Sequence, residues 1–233
     1  MTDTVVLVSL DGSKDALGAL PVARRLAELR GVPLEVRAGH PAEASLTDAG
    51  LIVMSAPSAD SIGEAALAVL RAAHGPVVLV NRAQAPGDWA LRRVLAPHDG
   101  SPSVSDALRP AAEFARAAGA ELVVLQVAGG ECALEPGSIA PPVYLDQIQH
   151  SWPAWSREFL HRLGGVCPLA DMRVRLRVEH GDLAGETVRV AGEESADLIV
   201  LARTGRWDDA ATLQALLRAA PCPVMVTRVP ASH

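Results

Sequence analysis

The chain has 233 residues, room for one large or two small domains with proper cores, and nearly half of them are apolar, chiefly Ala, Leu and Val with few aromatics. The net charge of −6 leaves no electrostatic footprint for nucleic acid or an anionic membrane. No apolar run approaches the roughly 18 to 20 residues that a membrane span requires.

In chain order, Val5 to Leu10 is an unbroken apolar run, the pattern of a parallel strand covered on both faces. The Ala/Leu/Arg-rich stretch Ala16 to Arg30 has helical periodicity and stops at Gly31, where a helix C-terminal glycine belongs. Leu34 to Ala38 reads as a second strand and runs almost directly into Gly39-His-Pro-Ala-Glu43. Ala49 to Ser55 and Pro76 to Val80 are further strands, separated by a helical stretch. Asn81 to Ala90, with Pro86, Gly87 and Asp88 in succession, is turn-rich and makes the natural linker. A new strand opens at Arg93. Ser101 is then a good N-cap, with Pro102 at the first helical position, and the helix through Ala107 to Ala117 closes at Gly119. Glu131 to Pro142 looks like a loop, and Tyr144 to Leu163 like a helix carrying Trp152, Trp155 and Phe159. His180-Gly-Asp182 opens another helix, Leu198 to Leu201 is a buried strand, and Pro223 to Thr227 is the last.

These elements repeat. Thr4 to Ser13, ending Leu-Asp-Gly-Ser, recurs as Arg93 to Ser101, ending His-Asp-Gly-Ser. Ala49 to Ser55 matches Ala196 to Ala202, and Leu70 to Val80 matches Leu217 to Thr227. Each copy reads strand, helix, strand, helix, strand, with crossovers expected to be right-handed. The second copy carries an extra section, about Gly129 to Leu169, so the first is expected to be truncated to four strands and the second to have five. The expected division is residues 1–82, a linker at 83–91, and residues 92–233.

A first strand ending in Asp-Gly-Ser, a middle Gly-Asp opening a helix and a terminal Ala220-Pro-Cys-Pro-Val224 together resemble the universal stress proteins, here in tandem. The resemblance implies two open parallel-sheet, Rossmann-like α/β domains paired through their last strands, an intrachain pseudo-dimer that covers otherwise exposed apolar edges. It also implies, as in many members, ATP bound at the carboxyl ends of the strands, a place that agrees with the rule for open parallel sheets. The Asp after strand one then holds the adenine or ribose side. A Gly-x-x-Gly, nine further residues and a Gly-Ser/Thr wrap the phosphates through backbone N–H groups.

This sequence departs from that loop. In the second copy the first glycine falls at Ala202 and Gly205 keeps the second. Only Arg206 to Asp209 then precede Ala210-Ala211, which stand at the Gly-Ser position. Asp208 and Asp209 add carboxylates that would repel a triphosphate. In the first copy Ser55 and Ser58 replace both glycines, and Gly63-Glu64 stands where Gly-Ser would be. The candidate nucleotide-contacting residues are Pro97, Asp99, Val127, Ala202, Arg203, Gly205 and Arg206, with Asp11 in the first copy. Asp11 and Asp99 read first as turn caps, with ligand contact the alternative, and Arg203 and Arg206 first as solvated loop residues, with guanidinium phosphate grips the alternative.

Other chemistry is thin. His40/Glu43 and His180/Asp182/Glu186 look like helix-start residues rather than metal ligands. No Walker loop, Gly-x-Gly-x-x-Gly or Gly-x-Ser-x-Gly occurs. Ser101 with nearby His98 is accounted for by capping. Cys222 reads as a small buried hydrophobe and Cys132 as a loop thiol, and three cysteines without a secretory leader suit a reducing cytoplasm. The expectation is a cytoplasmic, bacterial stress-response protein, not an enzyme. It would act through contacts with a protein partner, with family ATP binding lost and no cofactor required. The alternative is an adenine-nucleotide binder, for ATP or AMP, with an altered Arg-assisted pocket. Whether whole chains associate further into a homodimer stays open.

Overall fold

The structure is a computed structural model that describes residues 5–10, 17–38, 49–56, 64–81, 87–99, 101, 104–105, 108–128, 152–166, 169–203 and 210–228. Its strands are β1 (Val6–Leu10), β2 (Leu34–Ala38), β3 (Leu51–Ala56), β4 (Val77–Asn81), β5 (Arg93–Pro97), β6 (Glu121–Ala128), β7 (Val174–His180), β8 (Leu198–Arg203) and β9 (Val224–Arg228). Its helices are α1 (Ala19–Arg30), α2 (Glu64–Ala72), α3 (Arg109–Ala118), α4 (Trp152–Val166), α5 (Leu183–Glu193) and α6 (Ala210–Ala219).

The strands form one sheet in the order β2-β1-β3-β4-β9-β8-β5-β6-β7. Neighbours are parallel everywhere except at β4 and β9, which run antiparallel. Four strands of the first half and five of the second therefore meet through their last strands, as the resemblance implied. Val78 stands opposite Met225, flanked by Val77 opposite Val226 and Leu79 opposite Val224. Val78 and Met225 are equivalent positions of the repeated sequence, so a pseudo-two-fold axis passes between them.

Alternate residues of each strand face opposite layers, as the period of two requires. Val6, Val8, Val94, Ala96, Leu122 and Val124 face α1, α3 and α4, whose Leu26, Phe114 and Phe159 fill that side. Leu7, Ile52, Leu95, Val123 and Leu125 face α2, α5 and α6, through Val69, Val190 and Leu213. Two-sided burial explains why the strands read as continuous apolar runs rather than as alternation.

Both predicted helix-terminal glycines are left-handed, Gly31 at φ 65° and Gly119 at φ 63°, a conformation that costs glycine no Cβ clash. Ser101 caps a turn rather than the expected helix: its Oγ accepts the Val104 N–H at 3.2 Å. α3 itself starts at Arg109, with Leu108 at its N-cap and no side-chain cap bond, because the short turn at 104–105 intervenes. The expected helix from Tyr144 is described from Trp152 onwards, and Phe159 and Leu163 are buried in the core. Residues 144–151, like the predicted loop at 131–142 with Cys132, lie outside the described residues. The segment read as a linker is anchored where it is described: Trp89 and Leu91 are buried, and the Trp89 indole N–H donates to Asp197 O at 3.1 Å. The Asp197 carboxylate accepts the Arg92 and Arg93 N–H groups at 2.8 and 2.9 Å.

The edge strand β7 is braced by charge. Arg175 bonds Glu121 and Glu194, each at 2.6 Å, and Arg177 bonds Glu179 at 2.6 Å and Glu194 at 3.0 Å. Arg189 of α5 reaches Glu179 and Glu186, each at 2.6 Å. Arg175 hydrogen bonds hold the Glu121 and Glu194 carboxyls below the usual range.

Candidate functional site

The sheet changes direction between β5 and β8. From β5 the chain passes through α3, on one face, to β6. β8 lies on the other side of β5 and leads into α6 on the opposite face. Such a switch point opens a crevice outside the carboxyl ends of the strands. β5 and β8 are parallel, with Val94 opposite Leu198 and Leu95 opposite Ile199. Pro97, which ends β5, and Ala202, near the end of β8, consequently stand on one rim. Val127, near the end of β6, stands on the same rim, since Pro97 is opposite Leu125.

Asp99 leaves the strand end exposed to solvent, and its Oδ1 accepts the Ser101 N–H at 2.8 Å. That bond fixes the turn that follows β5. Pro97 is buried, while Val127 and Ala202 are half-buried. Arg203 is the last residue of β8, and its side chain lies outside the description. Gly205, Arg206 and Asp11 fall outside the described residues. The structure thus brings Pro97, Asp99, Val127, Ala202 and the Arg203 backbone to one rim.

Beneath the rim lies a residue that the motif contained but the candidate set omitted. His98 is buried at 4 % exposure, between the sheet and α4, where its ring meets Phe159 edge-on at 5.2 Å. Its Nε2 is 3.0 Å from Ser105 Oγ, and that hydroxyl donates to Ser101 O at 2.9 Å. With the hydroxyl proton so placed, Nε2 is the donor and the ring is the Nε2–H tautomer. Burial pushes the imidazole pKa down to about 4, against a smaller upward pull from Asp99. The arrangement is the reverse of a nucleophile and its base, which needs the ring nitrogen to accept the hydroxyl proton. Ser101, paired with His98 in the sequence, instead accepts the Val104 N–H, capping the short helical turn that precedes α3. The signal for His98 was present in the repeat, which sets it against apolar Leu10.

Two other sequence assignments can be placed. Asp182 caps α5, its carboxylate accepting the Gly185 N–H at 2.7 Å. Cys222 is buried, and burial pushes its thiol up to about 12. Among the described residues no helix is long and apolar enough to cross a membrane.

Comparison with known proteins agrees with this fold. The sequence pattern of the universal stress protein family matches residues 90–228. A universal stress protein from Archaeoglobus fulgidus has a similar structure, with TM-score 0.65 and 18% identity over 98% of this chain and 97% of that one. A putative universal stress protein from Pseudomonas aeruginosa matches with TM-score 0.64 and 18% identity over 96% and 92% of the two chains. At these identities the likeness speaks for the fold. No curated protein matches the sequence.

Proposed function

The chain belongs to the universal stress protein family, and from that premise we propose that it serves in the stress response through contacts with a protein partner, in the cytoplasm, without ATP, other cofactor or catalysis. One observation carries this reading. The connection at the switch point, from Arg203 at the end of β8 to Ala210 at the start of α6, is only Thr204 to Asp209. A loop that wraps a triphosphate needs several consecutive N–H groups free to converge on it, with glycine where the backbone must come close. This connection has a single glycine, Gly205, and two carboxylates, Asp208 and Asp209. Asp99, the residue expected to meet the nucleoside, already holds the turn after β5.

The second reading keeps the crevice as an adenine-nucleotide site, for ATP or AMP, in which Arg203 and Arg206 take over the phosphate. It is favoured by the rim that Pro97, Asp99, Val127 and Ala202 share. A thermal-shift titration with ATP, ADP and AMP, with and without Mg²⁺, separates the two. Ligand at a hundred times its Kd stabilises a fold by about 2.7 kcal/mol, and each kcal/mol moves the midpoint of a chain this size by roughly 2 to 4 °C. A flat response at millimolar nucleotide is expected. A shift of several degrees, reduced by Asp99→Ala, would replace the first reading with the second.

A further inference from the structure

The two halves differ in what lies beyond their second strand. In the second half β6 is flanked by β7, with Val124 opposite Leu176, and α4 covers the face above it. In the first half β2 pairs with β1, and among the described residues no strand pairs with its outer edge. Val36 faces β1's Val8 as Val124 faces Ala96, and the two valines are equivalent in the repeat. Yet Val124 is fully buried while Val36 is 52% exposed. The neighbours of Val36 have changed to suit. Where the second half has buried Val123 and Leu125, the first has the half-buried Glu35 and the exposed Arg37.

The outer edge of β2 has a defined hydrogen-bonding phase. The Val6 N–H donates to Pro33 O at 3.1 Å, and Val6 is level with Leu34. In a parallel ladder this turns the backbone groups of Pro33, Glu35 and Arg37 towards β1. Those of Leu34, Val36 and Ala38 therefore point outward.

We propose that β2 is a self-association edge, pairing antiparallel with β2 of a second copy of this chain about a two-fold axis at Val36. Val36 then meets its own counterpart, and Leu34 meets Ala38, in the pairs that exchange two N–H···O bonds each. Glu35 and Arg37 fall in the intervening pairs, where side chains come closest. In that register Glu35 of each copy opposes Arg37 of the other, so the charges on the strand are complementary to themselves. They now pair within the strand at 2.6 Å, in solvent, and exchange partners on association at little electrostatic loss. Charged residues on an edge also deter unregistered pairing. A sequence that opposes unlike charges in one register only, and like charges in the registers shifted by two, does both. The far end of the sheet is less suited, because Arg175 and Arg177 are tied to Glu121 and Glu194 of their own chain. A short strand pair buries little area, so the dimer is weak and forms at high protein concentration.

Sedimentation velocity on the full chain, from micromolar to near-millimolar, tests this with charge reversals at two positions outside the hydrophobic core. The native chain is expected to show a reversible monomer–dimer equilibrium. Glu35→Arg alone and Arg37→Glu alone oppose like charges and should each weaken it about tenfold. An equimolar mixture of those two variants should dimerise as a mixed pair, and the double variant Glu35→Arg/Arg37→Glu should recover self-association. A chain that stays monomeric throughout, or a dimer indifferent to both reversals, overturns the proposal. Neither result bears on the nucleotide titration, which concerns the opposite half.

Discussion

The guanidinium of Arg30 lies 5.1 Å from the centroid of the Phe114 ring, a cation over an aromatic face supplied by the other half of the chain. Arg30 ends α1 and Phe114 sits in α3, and the two helices pack together across the pseudo-two-fold axis. Arg30 also donates to Gly50 O at 2.9 Å, and burial lowers its pKa from the usual value. A partly desolvated cation on an aromatic ring is worth about 1 to 2 kcal/mol. A double-mutant cycle with Arg30→Met and Phe114→Leu, read by chemical denaturation, should therefore give a coupling energy of about 1 kcal/mol. Additive single effects would show that the contact contributes packing alone.

His98 gives the fold a pH dependence of known sign. Its folded pKa, about 4, lies below the ordinary value of 6.5. The unfolded chain therefore binds the proton first as pH falls, and stability that is complete above 6.5 is lost on the way down to 4. The loss should reach about 2 kcal/mol by pH 5 and about 3 kcal/mol by pH 4. His98→Leu, which installs the residue found at the equivalent position of the first half, should flatten the profile between pH 7 and 5. A variant profile parallel to the native one would place the dependence in another group.

The carboxylates of the β7 brace act in a lower window. Glu121 and Glu194 are held below the usual carboxyl value, so their stabilisation is full above about 4.5 and disappears as pH drops further. Glu194→Gln should cost about 1 kcal/mol at low ionic strength and distinctly less in molar salt, because Arg175 and Arg177 are partly exposed. A cost independent of salt would mean that the lost contribution is packing or hydrogen bonding.

Asp197 should behave as a structural carboxylate rather than a surface one. It accepts two backbone N–H groups at the entry to β5, and Asp197→Ala leaves the partly buried one at Arg93 without its acceptor. The expected cost is about 2 kcal/mol, with Asp197→Asn recovering part of it through its remaining carbonyl oxygen. Equal midpoints for the alanine variant and the native chain in urea would refute the assignment.

What could be read from the sequence was what repeats or is local. Apolar runs such as Val77 to Val80 announced two-sided strands, and Gly31 and Gly119 marked helix ends. The greater length of the second copy announced one strand more, although that strand, β7, starts just beyond the section bounded at Leu169. The union of β4 and β9 followed from the family resemblance and from two apolar edges needing cover. Side-chain partners far apart in the chain were not legible. Nothing near Trp89 indicates that it reaches Asp197, so a Pro/Gly-rich segment read only as linker. His98 was weighed by its neighbours in sequence, Asp99 and Ser101, whereas its setting is made by Phe159 and Ser105. The Arg175, Arg177 and Arg189 brace has no local signature, because its order comes from the alternation of β7 facing the spacing of α5.

At the centre of the sheet Val78 faces Met225 rather than a second copy of itself. In a symmetric dimer one codon would fill both sides of the axis, and any change would be felt twice in the same place. Here the two sides are encoded separately. A larger residue on one can be balanced by a smaller one opposite, a solution closed to identical subunits. Covalent linkage also holds the two halves together however dilute the protein becomes. The central seam is thus free to drift in sequence while the halves it joins specialise.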